Sequence, residues 1–346
     1  MKPELCTFIS EGMVKSYEDA IRKHIAANPS DLNSVADLAN YYLKDQQYER
    51  FKAVVEGAGE KANSSVFRRL RAKYLLFAEK DIEAAKEVLL SLSREDSLQP
   101  AWVHYFAGLR RAYFERVHEG VLYTAIPKNA STSLKTFILR EVENSPELNP
   151  HSVFGNPFFA FQNFSQGEIR DSVKVAVIRR PEDRFISYYR KNIVSEDSLA
   201  FEYGTTSAET PELFGLPLKP SLSQFIEHHS RYCIVFNDVF HHTLPQAAYL
   251  GDMRNYDFVC DVSEVDSLVR FVAKAIGMED RVPERAPREM VGSSTLAEPD
   301  FDGTEALRKL YADDYCMLAF SQANPMISDG IRRYSPQSPV FSFLRA

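Results

Sequence analysis

The sequence predicts an α/β protein: a mostly parallel sheet flanked by helices, with an all-α region in front of it. Three observations lead there. Residues 1–117 carry helical periodicity in one segment after another. From about residue 118, short apolar runs ("VLYTAI", "KVAVI", "YDFV") alternate with helical segments, the pattern of a sheet covered by helices. At two places such a run passes straight into a helix through a turn rich in basic or hydroxyl residues. A chain of 346 residues has room for two domains, drawn at 1–117 and 118–346.

The first region repeats itself. Shifted by 34 residues, "DQQYERFKAVV" (Asp45–Val55) lies over "EKDIEAAKEVL" (Glu79–Leu89). Tyr48 then meets Ile82, Phe51 meets Ala85 and Val55 meets Leu89, all apolar positions of a helix. That period resembles tetratricopeptide (TPR) repeats, whose helix pairs bury their faces by stacking, and it implies a surface for a protein partner. A plain helical bundle is the alternative.

Composition narrows the function classes. With 41 Lys and Arg against 48 Asp and Glu the net charge is −7, which argues against a general nucleic-acid binder. Any anion site must be a local basic patch. No uninterrupted apolar run exceeds six residues, so no membrane span is expected. The opening "MKPELCTFISEGMVKSY" lacks the apolar core of a secretory signal. Cys6, Cys233, Cys260 and Cys316 are scattered, which suggests free buried thiols in a cytoplasmic protein, and no metal site.

The first turn is "YTAIPKNASTSLKTFIL", Tyr123–Leu139. Leu134, Phe137, Ile138 and Val142 fall on one helical face, so Lys128–Ser133 sits at a helix N-terminus after a strand. Free amide hydrogens and the positive helix end suit a phosphate there. Lys128 adds a point charge, Ser131, Thr132 and Ser133 add hydroxyls, and Ala130 stands where a phosphate loop calls for glycine. Walker A spacing is absent, which disfavours an ordinary nucleoside triphosphatase. Alone, such a turn would read as a helix cap.

The second is "VAVIRRPEDRFISYYRK". Pro181 suits a first helical turn, and Glu182 and Asp183 complement its dipole. Phe185, Tyr188, Tyr189 and Ile193 are expected to be buried, with Arg184, Ser187 and Lys191 along the other side and Arg179 at the strand end. Two strand ends with phosphate-type donors imply a ligand with two separated anionic groups.

Here the sequence resembles a known family. "PKNASTSLK" resembles the 5′-phosphosulfate loop of sulfotransferases that use 3′-phosphoadenosine-5′-phosphosulfate (PAPS), and "RRPEDRFIS" their 3′-phosphate motif. The Lys-x-Ala-Ser-Thr-Ser form is nearest to the carbohydrate branch, including heparan 2-O-sulfotransferases. "HTLPQAAYLG" (His242–Gly251), then "YDFV" and a capped helix, is similar to that branch's H-x-x-P-Q segment, and "LRKLYADDYCMLAF" to its terminal helix. The resemblance covers about 120–320 and implies a P-loop-like sheet. It implies that Lys128 contacts the phosphosulfate and aids departure of 3′-phosphoadenosine 5′-phosphate (PAP). Asn129, Ala130, Ser131, Thr132 and Ser133 would line the 5′ site, Arg179 and Ser187 the 3′ site, and His242 the acceptor pocket. Arg180 departs from the usual Asp or Asn, and the paired-histidine segment of the 2-O-sulfotransferases is missing. His151, the sole histidine between the two motifs, is the choice for catalytic base, with Glu141, Glu143 and His242 as alternatives.

The expected enzyme is a soluble bacterial sulfotransferase whose acceptor is a glycan, peptide or small molecule. A nucleotide kinase and a helical-repeat scaffold with a degenerate transferase domain are the rival readings. Asn192–Pro220, rich in Ser, Thr, Glu and Pro, reads as a surface excursion shaping the acceptor site. "FGNPFFAFQNF" (Phe154–Phe164) reads as packing rather than an acceptor platform, and "RAPREMVGSS" (Arg285–Ser294) as a loop near the nucleotide.

Overall fold

The computed structural model describes residues 2–96, 98–154, 164–286 and 304–322. Packing divides the chain into two compact units, each built from two separate stretches. One joins Met1–Leu92 to Tyr188–Thr243, the other Ser93–Ser187 to Leu244–Ala346. The sequence reading drew one boundary, after residue 117.

The unit containing 93–187 and 244–346 is built on a four-stranded sheet. Its strands β1 (Glu115–His118), β2 (Val121–Thr124) and β3 (Val173–Ile178) come early, and β6 (Phe258–Asp261) comes after the two-residue strands β4 (Glu212–Leu213) and β5 (Leu216–Pro217). Spatial order is β1-β2-β3-β6, with β1 antiparallel to β2 and the other pairs parallel. β2 is buried at all four positions, as a strand covered on both faces should be. Tyr123, Val175, Val177 and Cys260 from the strands form one core with Leu134, Phe137 and Ile138, and with Leu268, Val269 and Val272. The helix Val265–Ala275 buries the face expected of it, and Gly277 (φ 70°) follows its end. Its entry differs: Asp261, not Ser263, supplies the side-chain cap, accepting from Ser263 N at 2.9 Å in a short turn before the helix.

The other unit is mostly helical, with helices at Val14–Ala27, Leu32–Lys44, Tyr48–Gly57 and Ser65–Lys73. Asp31 caps the second of these by accepting from Ser34 N at 3.2 Å. The internal repeat has a backbone counterpart. Helices begin at Tyr48 and at Ile82, and two residues before each stands a left-handed residue, Gln46 (φ 57°) and Lys80 (φ 56°). Phe51 and Ala85 are both buried.

Asn192–Pro220 is not the bare excursion its composition suggests. It carries a helix at Ser198–Phe201 and the β4–β5 hairpin, and it buries Leu199, Tyr203, Leu213, Leu216 and Leu218. Phe214 packs edge-on against Tyr41 (6.0 Å between centroids), and buried Lys44 donates to the Tyr203 hydroxyl at 2.5 Å. This stretch owes part of its core to the N-terminal helices.

All four cysteines are free, but only Cys233 and Cys260 are buried; Cys6 and Cys316 are exposed, contrary to expectation. Among the described residues no helix is long and apolar enough to cross a membrane.

Two buried histidines set an acid sensitivity. Burial pushes His229 down to about 3, and burial with nearby Arg111 pushes His104 down to about 4. The unfolded chain protonates these rings below about pH 6.5 while the folded chain does not, so stability falls as pH falls. By pH 5 each ring should cost on the order of 2 kcal/mol. Burial raises Glu115, Glu202 and Asp314, which act in the opposite direction. Comparing denaturation midpoints of the native protein and His229→Gln between pH 7 and 5 separates the two effects: the variant's midpoint should decline less steeply.

Candidate active site

β2 ends at Thr124, and Ala125–Ala130 turn the chain into the helix Ser131–Phe137, which continues as a wider π-helical stretch to Val142. Within the turn the Ile126 carbonyl accepts from Asn129 N at 3.2 Å, and the Ala130 carbonyl from Ser133 N at 3.0 Å. Lys128 (φ 67°) and Ala130 (φ 52°) are both left-handed, a conformation that costs a side-chain-bearing residue roughly 1 kcal/mol or more. Alanine has the smallest side chain that still meets this cost. Lys128, Ala130, Ser131 and Thr132 are half-buried and reachable; Ser133 is buried. Beneath the turn the helix is pinned to β1, where Lys135 Nζ meets Glu115 Oε2 at 2.6 Å with both side chains buried. Burial raises the Glu115 carboxyl, and Lys135 opposes that shift.

β3 ends at Ile178, and the helix Pro181–Tyr188 starts three residues later. Glu182 in its first turn accepts from Arg180 Nη2 at 2.8 Å and from the Tyr315 hydroxyl. Arg180 is thus engaged by its own helix. Arg184 is not on the open side as its spacing suggested: it is fully buried, donates from Nη2 to the Leu244 carbonyl at 2.6 Å, and lies 5.5 Å from the Tyr311 ring centroid. Ser187 is half-buried.

Because β2 and β3 are adjacent and parallel, with Thr124 opposite Ala176, the two turns lie side by side at one sheet edge. They are tied directly: Arg179 Nη1 donates to the Lys128 carbonyl at 3.1 Å. Burial lowers the Arg179 guanidinium, opposed by Asp183 and Asp261. They are also bridged. Gln246 Oε1 accepts from Asn129 Nδ2 at 2.6 Å and from Arg179 N at 3.0 Å, while its Nε2 donates to the Arg179 carbonyl at 2.8 Å. Asn129 Nδ2 also donates to the Val177 carbonyl at 3.0 Å, so this buried side chain serves the scaffold.

Gln246 is itself held. The buried Asp314 carboxylate accepts from Gln246 N at 3.0 Å and Ala247 N at 2.9 Å. Burial raises this carboxyl, opposed by the Arg184 charge and the two backbone donors. The segment is seated by Gly251 (φ 58°), where a Cβ would stand 2.4 Å from the Arg111 carbonyl carbon; only glycine fits.

The structure places the other sequence-predicted residues as follows. His151 belongs to the short helix Pro150–Val153, which packs against Ser131–Phe137; its side chain lies outside the described residues. So do most of the Phe154–Phe164 run and of Arg285–Ser294. His242 lies in the helical unit, where Nε2 pairs with Asp238 Oδ1 at 3.3 Å and the ring stacks on Tyr188 (5.0 Å, 17°). The Tyr188 hydroxyl donates to the same carboxylate at 2.8 Å.

Two anion-seeking turns joined by a built bracket can grip two charges at a set separation. Residues 111–321, well over half of the chain, match the sulfotransferase family model. The chain belongs to the sulfotransferase family. No curated protein and no solved structure matches it. The matched sulfotransferase region includes both turns, the bracket at Gln246 and Asp314, and the 188–243 stretch of the helical unit. Sequence reasoning found the two turns and missed the bracket. Its signals were present: a glutamine in the quoted H-x-x-P-Q segment, and two adjacent acids, Asp313 and Asp314, opening the apolar helix Ala312–Gln322.

Proposed function

We propose that this sulfotransferase moves the sulfuryl group of PAPS to a hydroxyl on a carbohydrate. The observation that carries the reading is the pair of neighbouring strand-end turns, tied from Arg179 to the Lys128 carbonyl and bridged by Gln246. Half-buried hydroxyls and a left-handed backbone at the first turn fit a 5′-phosphosulfate. Lys128, Ala130, Ser131, Thr132 and Ser133 would hold it, on a turn braced by Asn129, and Arg179 with Ser187 would hold the 3′-phosphate. PAPS supplies an activated sulfuryl group with a phosphate oxygen as leaving group. Lys128 then offsets the charge that grows on that oxygen, in the low-dielectric setting where such a contact is strongest. His151 takes the proton of the acceptor hydroxyl. The loop form Lys-x-Ala-Ser-Thr-Ser favours a carbohydrate acceptor, and the TPR-like helices would dock a protein partner or the acceptor.

Radiolabelled sulfate transfer from PAPS to a panel of glycans, peptides and metabolites tests the reaction. Calorimetry tests the donor site: PAP should bind more tightly than AMP, since charge-assisted hydrogen bonds to the 3′-phosphate contribute about 1.5–3 kcal/mol each. Arg179→Ala should erase most of that preference. Equal affinity of the native protein for AMP and PAP would rule the reading out.

A further inference from the structure

We propose that Gln246 is a positioning residue that fixes the separation of the two phosphate subsites, and so makes the protein select nucleotides phosphorylated at both the 5′ and 3′ positions. The inference rests on reading the two turns as phosphate sites. Gln246 is fully buried and reaches both turns at once: Asn129 of the first through its side chain, and Arg179 of the second through backbone N and O together. Holding both groups of one residue fixes the β3 exit against a slip along the chain. The amide orientation is determined, because reversing it would set Nε2 against two donors and Oε1 against the Arg179 carbonyl and the Asp314 carboxylate. No other side chain of that length both accepts and donates through a planar group. Asp314 then locks the bracket from behind, binding the backbone N of Gln246 and of Ala247. Arg179 Nη1 to the Lys128 carbonyl and Asn129 Nδ2 to the Val177 carbonyl add single bonds between the first turn and the β3 end.

A ligand with two anionic groups gains from both subsites only if they already stand at its own spacing; otherwise binding must first order the turns. A ligand with one phosphate samples one turn and is indifferent to the spacing. Loosening the bracket should therefore cost PAP more than AMP.

The test is calorimetry on the full chain with PAP and AMP. Gln246→Met keeps length and burial and removes every amide bond. Its preference for PAP over AMP should fall about tenfold or more, with AMP affinity within about threefold of native. An unchanged preference, or an equal loss for both ligands, overturns the proposal. A native protein with no preference for PAP fails the underlying reading instead, whatever Gln246 does. Gln246→Glu decides the matter if the methionine variant does not fold. Its ionised carboxylate would face the Arg179 carbonyl and Asp314, while the protonated form restores one donor and both acceptor contacts. Its PAP preference, taken relative to native at each pH, should recover as pH drops from about 8 to about 5.5. A flat ratio overturns the proposal.

Discussion

Lys128→Ala is expected to lower turnover by roughly 10²–10³-fold, the scale of losing one preorganised group that stabilises transition-state charge. The substitution leaves the backbone tie of the turn in place. Arg179 grips the Lys128 carbonyl, and the left-handed φ of 67° is met by alanine next door at Ala130. PAP affinity should fall much less than turnover, since hydroxyls and backbone amides share the 5′-phosphate in the ground state. Lys128→Arg should restore only part of the rate, because a planar guanidinium cannot take the place of a compact ammonium. Single-turnover transfer from PAPS measures this directly. A rate within a few-fold of native would remove Lys128 from the leaving-group role.

His151→Ala should cut turnover by about 10²–10⁴-fold with PAP affinity unchanged. The Pro150–Val153 helix packs against the helix that opens at Ser131, in the same compact unit as both turns. The acid limb of the pH–rate profile should disappear with the imidazole. Near-normal turnover would move the base to His242 or Glu141. Weakened PAP binding would assign His151 to the nucleotide site.

What could be read from the sequence was what is local. Each strand–turn–helix passage is written in a dozen consecutive residues, so Lys128, Ala130 and Arg179 could be picked out, and the core face Leu134–Phe137–Ile138 followed from periodicity. Arg184 was misplaced because helical spacing assigns charge to the outside by default, and only tertiary partners, the Leu244 carbonyl and the Tyr311 ring, explain its burial. Ser263 lost the cap to Asp261 by two residues, the usual error of boundary reading. Asn192–Pro220 read as loop because its apolar residues follow no single period. They are spent in turn and hairpin packing against helices more than a hundred residues earlier. The Gln246–Asp314 bracket was out of reach for the same reason: its hydrogen bonds join segments that no local pattern connects.

The bracket also orders events during synthesis. Its four participants, Asn129, Arg179, Gln246 and Asp314, emerge from the ribosome one after another, and the last lies in the helix Ala312–Gln322. At about 5–20 residues per second, the first turn waits on the order of ten to forty seconds for the carboxylate that completes its support. Until then the β2–β3 edge has a high-contact-order gap in it, and the Asn129 amide lacks one of its two acceptors. The bracket is therefore complete only once the final described helix has docked, so the spacing of the two turns reports completion of the fold.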